Sequence, residues 1–232
     1  MLLRRAQTGD APDIARIIRT VWSDSNPDPL VIGGLLADGG RATIVAMFDG
    51  IAAGFVDAFR SDYETPSGRQ PYFWEIDLLA VEPAFHGRGI GAALIAAARD
   101  MGHAAGTPCA RALVRVDNVG AQIAFKRVGF VPQPEVNGLY TAGGSLTGNQ
   151  PDQPAGCRMI GVDTLTYSGI WLEGLLTREA FRYGRHAAGV RGLDTVGAVI
   201  PRDDTVATGA AACEGYDHVG DFRWWTYAYT SG

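Results

Sequence analysis

The stretch His86-Gly87-Arg88-Gly89-Ile90-Gly91 lies between an apolar run that ends near Val81 and a helical pattern that begins at Ala92. Its three glycines alternate with other residues, so the backbone can turn tightly and point successive N–H groups at one anion. The helix that follows adds the positive end of its dipole, and Arg88 adds a cation. The stretch predicts a phosphate cradle, with a simple strand-to-helix turn as the alternative.

Two kinds of protein place glycines between a strand and a helix, and the spacing separates them. In a dinucleotide-binding unit the glycines follow the strand directly, and an acidic residue comes roughly 20 positions later. Asp117, after the apolar strand pattern of residues 110–116, is a candidate for that acid. The four residues Glu82-Pro83-Ala84-Phe85 separate strand from glycines, however, and this insertion is too long for the dinucleotide turn.

The combination of a strand from Trp74 to Val81, a Val-Glu-Pro break, a [Gln/Arg]-x-x-Gly-x-[Gly/Ala] pattern and a helix resembles the acyl-CoA-binding motif of the Gcn5-related N-acetyltransferases. His86 stands where that family usually has Gln or Arg. The resemblance implies acetyl-CoA as acyl donor, held by the cradle and by main-chain groups of the fourth strand. It implies these cofactor-binding residues: Leu79, Ala80, Val81, His86, Gly87, Arg88, Gly89, Ile90, Gly91, Asn118 and Gln122.

Hydrophobic periodicity predicts the elements around the motif. Asp49-Gly50 is a strong hairpin signal, whereas the polar segment from Ser61 to Pro71, with two prolines, predicts a loop. The predicted elements are strands at 2–7, 43–48, 51–59, 72–81 and 110–116, a strand starting at 130, a helix that runs from a cap at Asp10 to Trp22, and helices at 30–36, 90–105 and 118–127.

The predicted order β-α-α-β-β-β-α-β-α-β matches the topology of the same family. Two patterns, Asn118-x-x-Ala121 and the run from Phe125 to Phe130, also resemble its fourth helix and the turn after it. The resemblance covers roughly residues 2–140. It implies an α+β fold, an α/β/α sandwich around a mixed, mainly antiparallel sheet, with a smaller C-terminal α+β segment packed on it.

A second, degenerate copy of half this fold is indicated beyond a linker rich in Gly, Ser, Pro, Asn and Gln. Asp203-Asp204-x-x-Ala207 and Gly215-Tyr216 repeat Asp117-Asn118-x-x-Ala121 and Gly129-Phe130 at one constant offset of 86 residues. An unrelated α+β tail is the alternative. We therefore predict an acetyltransferase domain at 1–140, a linker at 141–157 and a half-domain at 158–232.

The second copy is not expected to bind CoA. A second match, His103-Ala104-Ala105-Gly106 with His186-Ala187-Ala188-Gly189, aligns residues Gly169 to Gly174 with the cradle. Trp171 and Leu172 are bulky there, and Glu173 would repel an anion. Leu172, Leu175 and Leu176 are predicted to form a helical face. Because half a fold cannot bury its own sheet, we expect this segment to pack on the first domain as an internal pseudo-dimer, with a homodimer as the alternative.

Acetylation of an amine needs a base, because an amine with a pKa near 10.4 is charged at pH 7. Glu75 and Asp77 are the candidates. They are two residues apart on one strand, so they face the same way, and burial of like charges side by side raises the pKa of at least one. The resemblance favours Glu75, whose distance from the cradle matches the glutamate of histone-type members; pairing with a neighbouring arginine is the alternative for either acid.

A general acid is harder to place. Many members of the family use a tyrosine in the fourth helix to protonate the departing thiolate, and Phe125 stands at that position. Tyr140 is the first candidate to replace it, with Tyr63 and Tyr72 as further candidates; each has an ordinary packing role as its alternative.

The amino-acid composition restricts the classes of molecule that the protein is expected to bind. The net charge of −5 and the pI near 5.3 argue against nucleic acid or an anionic membrane and mildly favour a cationic substrate. Three cysteines without a C-x-x-C spacing predict neither a disulfide framework nor zinc, and hence a reducing cytoplasm, and no histidine pair has metal-ligand spacing. No targeting or membrane-spanning segment is indicated.

The sequence thus predicts an N-acetyltransferase that moves acetyl from acetyl-CoA to a primary amine of a small molecule. Two alternatives stay open: an acyl-CoA-binding protein that has lost catalysis, and a dinucleotide-dependent oxidoreductase.

Overall fold

The computed structural model describes residues 1–37, 42–65, 68–146 and 151–229. Within these ranges lie eleven strands and six α-helices. The first half contains β1 (Leu2–Arg5), α1 (Ala11–Val21), α2 (Pro29–Ala37), β2 (Ile44–Phe48), β3 (Ile51–Thr65), β4 (Gly68–Val81), α3 (Ile90–Ala104), β5 (Cys109–Arg115), α4 (Val119–Arg127), β6 (Val131–Pro132) and β7 (Asn137–Ala142). The second half contains β8 (Cys157–Asp163), β9 (Ser168–Gly174), α5 (Arg178–Arg191), β10 (Thr195–Pro201), α6 (Thr205–Cys213) and β11 (Asp217–Ala228).

One mixed sheet runs through the whole chain. Its main path is β1-β2-β3-β4-β5-β11-β7-β10-β9-β8, with parallel pairing at β4–β5 and β9–β10 and antiparallel pairing elsewhere. β8 also pairs with β3, through Tyr63 and Ile160. The eight strands from β3 round to β8 therefore form a closed ring, and β1 and β2 extend from it. This confirms the predicted α+β class with a mixed, mainly antiparallel sheet.

The two halves exchange their last strands. β11 follows the helices of the second half but pairs with β5, from Phe222↔Arg115 to Ala228↔Cys109. β7 belongs to the first half but pairs with β10, and the two exchanged strands pair with each other. The sheet continues through both halves of the chain. The division into an acetyltransferase domain at 1–140, a linker at 141–157 and a half-domain at 158–232 therefore stays a proposal, based on the repeat in the sequence.

Helices cover both faces of the first-half strands. Ala53 and Val56 of β3 face α3 and α4, whereas Ala52 and Phe55 face α1 and α2. A bulge at Ala53 shifts the strand alternation by one residue and so produces this grouping. The second half has its own core under α5 and α6. Trp225 of β11 is buried in the α3–α4 core, so a second-half residue completes a first-half core. Within the described ranges, no helix combines the length and apolar character needed to cross a bilayer.

The predicted loop from Ser61 to Pro71 is wrong. β3 continues to Thr65 and β4 begins at Gly68, so most of the segment is paired strand. The register shifts between Ser61 and Asp62, and Pro71 pairs there, at the kind of irregularity where a strand tolerates proline. The extended parts of β3 and β4 pair with each other, and Tyr63 of β3 also pairs with Ile160 of β8, which lies far along the chain and leaves no local signal.

The predicted counterpart of the cradle is also wrong. Residues 169–174 lie in strand β9, with Ile170 and Leu172 buried, and the true counterpart is the loop 175–177 before α5. Leu172, Leu175 and Leu176 consequently form no helical face. The alternation of buried and more exposed residues along β9 has the period of a strand. The loop 175–177 has three residues against eight at 82–89, so it is too short to form the same cradle.

The exchanged strand gives a stability prediction. Trp225→Ala removes a buried indole that is only 4% exposed in the first-half core, and we expect it to lower the free energy of unfolding by about 3–5 kcal/mol. Urea denaturation measures this. Trp22→Ala, at a tryptophan that is 36% exposed, is the matched control and should cost about 1 kcal/mol or less. Equal losses in both variants would contradict the role of β11 in that core.

Candidate active site

The glycine stretch forms an open turn at the start of α3. Gly87 and Gly89 have φ of 75° and 77°, in the left-handed region that glycine adopts without strain. A Cβ at either position would meet no atom within 4 Å. Glycine is therefore favoured here by the backbone conformation and not by a lack of space for a side chain. Gly89 is the N-cap of α3, and the N–H groups of the first helical turn have no partner within the helix. This geometry fits an anion.

His86 and Arg88 are both held in place beside this turn. His86 Nε2 lies 2.8 Å from the Val81 carbonyl oxygen, to which it donates. The Arg88 guanidinium lies 4.8 Å from the centroid of the Phe48 ring and 5.6 Å from that of Phe85. The aromatic rings therefore fix a cation at the rim of the turn, where it adds to the positive end of α3.

Strands β4 and β5 separate just before the turn. In the part of the chain that the structure describes, they pair only at Trp74↔Ala110 and Glu75↔Arg111. β4 also has a bulge, because Ile76 and Leu78 pair with successive residues of β3 and Asp77 is the extra residue between them. A bulge re-aims a side chain and bends its strand. The main chain of residues 79–81 is consequently free of β5 on that side.

A chamber of about 210 Å³ opens at this separation, inside the ring of strands. Glu75, Asp77 and Arg111 line it from β4 and β5. The second half supplies Tyr167 and Trp171 to the opposite wall, together with residues of β8 and β11. Glu75 and Asp77 thus face the same space, as their spacing predicts, but half of that space is built by the second copy.

Asp77 is the carboxylate that remains open to the chamber. It nevertheless lies deep among protein atoms, and this burial, with the neighbouring charges of Asp57 and Glu75, raises its pKa to about 7. The Tyr167 hydroxyl donates to Asp77 Oδ1 over 3.3 Å and partly opposes that rise. A carboxyl group with such a pKa can accept a proton near neutral pH.

Glu75, by contrast, is held by a buried arginine. Arg111 Nε lies 2.7 Å and 2.9 Å from the two oxygens of Glu75, and Arg111 Nη2 lies 2.7 Å from Glu173 of β9. The guanidinium is also stacked between the rings of Phe73 and Trp224, at 4.3 and 4.2 Å. Both oxygens of Glu75 are therefore engaged in the arginine pairing that was the alternative to a catalytic role.

The comparisons identify the family. The model of the acetyltransferase (GNAT) family matches residues 11–130, which is just over half of the chain. The chain belongs to the GNAT acetyltransferase family. It is an N-acetyltransferase, and acetyl-CoA is its acyl donor, as in the family. Membership decides against the dinucleotide-dependent oxidoreductase. No curated protein matches the sequence significantly.

Solved structures share the fold over the full length. A GCN5-related N-acetyltransferase from Sphaerobacter thermophilus has a TM-score of 0.59 and 14% identity, covering 100% of this chain and 96% of its own. A candidate acetyltransferase from Pyrococcus horikoshii has a TM-score of 0.62 and 15% identity, covering 99% and 89%. A tandem GNAT protein of clavulanic acid biosynthesis has a TM-score of 0.56 and 12% identity, covering 100% and 99%. The likeness to a tandem protein supports the second GNAT copy.

The side chains of two other predicted cofactor-binding residues of this GNAT enzyme form hydrogen bonds where β5 leads into α4. Asn118 Oδ1 accepts from the Ala121 N–H over 3.0 Å and caps α4. Gln122 Nε2 donates to the carbonyl oxygens of Val116 and Arg115. These bonds are compatible with a cofactor contact at the same place, and that contact stays a prediction.

The structure does not bring Tyr140 to Glu75 and Asp77. Adjacent strand residues face opposite sides, so Leu139 lines the chamber and Tyr140 packs on the α5–α6 core beside His218. Phe125 is buried against Phe130 and Trp225. The side chain of Tyr72 lies outside the described residues, and Tyr63 does not line the chamber.

Sequence reasoning missed Arg111, Glu173, Tyr167 and Trp171. Arg111 had a usable signal, because a charged residue within the otherwise apolar run 109–114 demands a buried acidic partner. Glu173, Tyr167 and Trp171 had no local signal, since their role depends on where the second copy is placed.

The cradle gives a prediction for cofactor binding. A Cβ at Gly91 would lie 3.8 Å from that of Ala124, an ordinary contact, and the position is helical. Gly91→Ala should therefore keep the melting temperature but obstruct the approach of phosphate to the backbone. We expect acetyl-CoA to bind roughly tenfold or more weakly by calorimetry. Gly34→Ala, in α2 with no atom within 4 Å of the added Cβ, is the control. Unchanged affinity for Gly91→Ala would contradict the cradle.

Proposed function

We propose that this enzyme acetylates the primary amine of a small molecule by direct attack, with Asp77 as the general base. The observation that carries the proposal is the position of Asp77, at the bulge where β4 leaves β5, open to the chamber and with a pKa of about 7. The chamber is smaller than the roughly 300–1,000 Å³ typical of sites for drug-sized ligands, which favours a small acceptor over a protein.

Bound acetyl-CoA supplies the acyl thioester. The residues of the chain position the cofactor and the amine, and one of them removes a proton from the amine. The N–H groups around Gly89 and Gly91, with Arg88, are proposed to hold the pyrophosphate. The main chain of Leu79 and Val81 is proposed to hold the pantetheine arm. Asp77 accepts the ammonium proton at a carboxylate oxygen, which frees the lone pair of the nitrogen for attack.

We propose that the thiolate leaves without a dedicated acid. Phe125 has no proton to give, and Tyr140 faces the wrong side of its strand. A thiol with a pKa near 8.5 is a tolerable leaving group as its anion. The missing acid costs part of the ~10²–10⁴ in rate that such a group typically supplies. Phe125 is also the observation that favours the second candidate, a GNAT protein that binds acyl-CoA with impaired turnover.

The chain is proposed to act as a monomer with an internal pseudo-dimer, supported by the exchanged strands β7 and β11. We propose one acetyl-CoA per chain, since the loop 175–177 is short. A cytoplasmic location stays a prediction from the cysteine spacing.

The base assignment is tested by two isosteric variants. Asp77→Asn should lower kcat by roughly 10²-fold or more while leaving the affinity for acetyl-CoA unchanged. Glu75→Gln should mainly lower the melting temperature, because it weakens a buried ion pair. Asp100→Asn, at an exposed carboxylate of α3, is the control for both. If Glu75→Gln instead abolishes turnover in a fully stable protein and Asp77→Asn stays active, Glu75 is the base.

The pH dependence gives a second test. A base must be deprotonated, so the rate should fall as the pH is lowered through about 7, the pKa of Asp77. Tyr167→Phe removes the hydrogen bond that lowers this pKa. The acidic limb of the kcat profile should consequently move to higher pH, with activity largely recovered above it. A limb that does not move in Tyr167→Phe would contradict the coupling of the two side chains.

A further inference from the structure

The carboxylates around the chamber differ in whether a cation already pairs with them. Glu75 and Glu173 share the guanidinium of Arg111, with nitrogen–oxygen distances of 2.7 Å to each. Asp77 receives the Tyr167 hydroxyl at 3.3 Å, a long bond that an ammonium group can supplement. Asp57 of β3, the remaining nearby acid, is fully buried and accepts from Thr43. Among the described acids that line the chamber, Asp77 is therefore the one without a cation partner, and an ammonium group placed there would supply it.

The other walls of the chamber are apolar. Aromatic side chains project from three strands, Phe59 from β3, Trp171 from β9, and Phe222 and Trp224 from β11, with aliphatic residues between them. A second charge on the acceptor would lose its water without gaining a partner. Burying an unpaired charge is far more costly than burying apolar surface is favourable.

From this arrangement we infer the class of acceptor, an inference that rests on the proposed function. The acceptor is a small primary amine with one positive charge, at the ammonium group that meets Asp77, on an aromatic or other apolar body that packs against Trp171 and Phe222. Amino acids, with a carboxylate beside the amine, and diamines, with a second ammonium, are discriminated against. Because Trp171 and Tyr167 come from the second copy, that copy determines the specificity of the first.

The experiment uses the full-length protein and three commercial amines that separate the arguments. 2-Phenylethylamine has one charge and an aromatic body, phenylalanine adds a carboxylate, and 1,4-diaminobutane replaces the ring by a second ammonium. We expect kcat/KM for 2-phenylethylamine to exceed the other two by at least about tenfold, which corresponds to about 1.4 kcal/mol. Thiol release at saturating acetyl-CoA measures turnover, and calorimetry measures binding of each amine.

A variant series tests the wall contributed by the second copy. Trp171→Ala should raise KM for 2-phenylethylamine about tenfold or more with a much smaller change in kcat, and Trp171→Phe should recover most of the loss. Trp22→Ala, at a tryptophan outside the chamber, should leave both constants unchanged. If Trp171→Ala does not fold, Trp171→Phe tests the wall by itself. A moderate rise in its KM supports the contact with Trp171, and an unchanged KM contradicts it.

The outcomes separate this inference from the proposed function. Acetylation of phenylalanine, 1,4-diaminobutane or a peptide amine as efficiently as 2-phenylethylamine would overturn the inference and leave the acetyltransferase reaction standing. If acetyl-CoA binds but no amine is acetylated, the proposed function fails. Calorimetry then tests the inference by itself. 2-Phenylethylamine should bind at least about tenfold more tightly than phenylalanine and 1,4-diaminobutane, and equal or tighter binding of either of these would overturn the inference.

Discussion

The pairing of β11 between β5 and β7 is the constraint on which the rest of the structure depends. It places a strand from the end of the chain against the first-half strand that leaves β4. It buries Trp225 in the core beneath α3 and α4 and turns Phe222 and Trp224 toward the chamber. Because the first half gives β7 to the second in return, neither half completes its sheet alone. The backbone hydrogen bonds of the sheet thus couple the stability of the fold to the shape of the chamber.

Arg111 sets the distance between the two walls of the chamber. Its guanidinium contacts Glu75 of β4, Glu173 of β9 and the ring of Trp224 in β11. A buried charge with only one partner would be costly, so both carboxylates must remain close to it. The second copy therefore cannot move away from the first without exposing or unpairing this arginine. The same pairing holds the Glu75 carboxylate beside Asp77, and its charge contributes to the raised pKa of Asp77.

The sequence was sufficient wherever the signal was local. The glycine stretch, the Asp49-Gly50 hairpin and the helical spacing in α1 predicted the first-half elements, and the spacing of Glu75 and Asp77 predicted that both face one space. Prediction from the sequence failed where a strand or side chain contacts a partner that lies far along the chain. The extension of β3 pairs with β8 at Tyr63, residues 169–174 of β9 were aligned with the cradle, and Tyr167 reaches Asp77 from the other copy. Ring closure and strand exchange depend on tertiary placement, which a period of two or 3.6 residues does not encode.

The differences between the second copy and the first match their different places in the closed ring. A second cradle would require a glycine turn as long as residues 82–89, whereas the loop 175–177 joins β9 to α5 directly. The inner face of β9 has a different environment, because it lies across the ring from β4 and β5. There Trp171 lines the chamber and Glu173 completes the pairing of Arg111. We propose that the second copy binds no cofactor, so its loop needs no cradle, and that its strand β9 instead forms a wall of the proposed active site of the first copy.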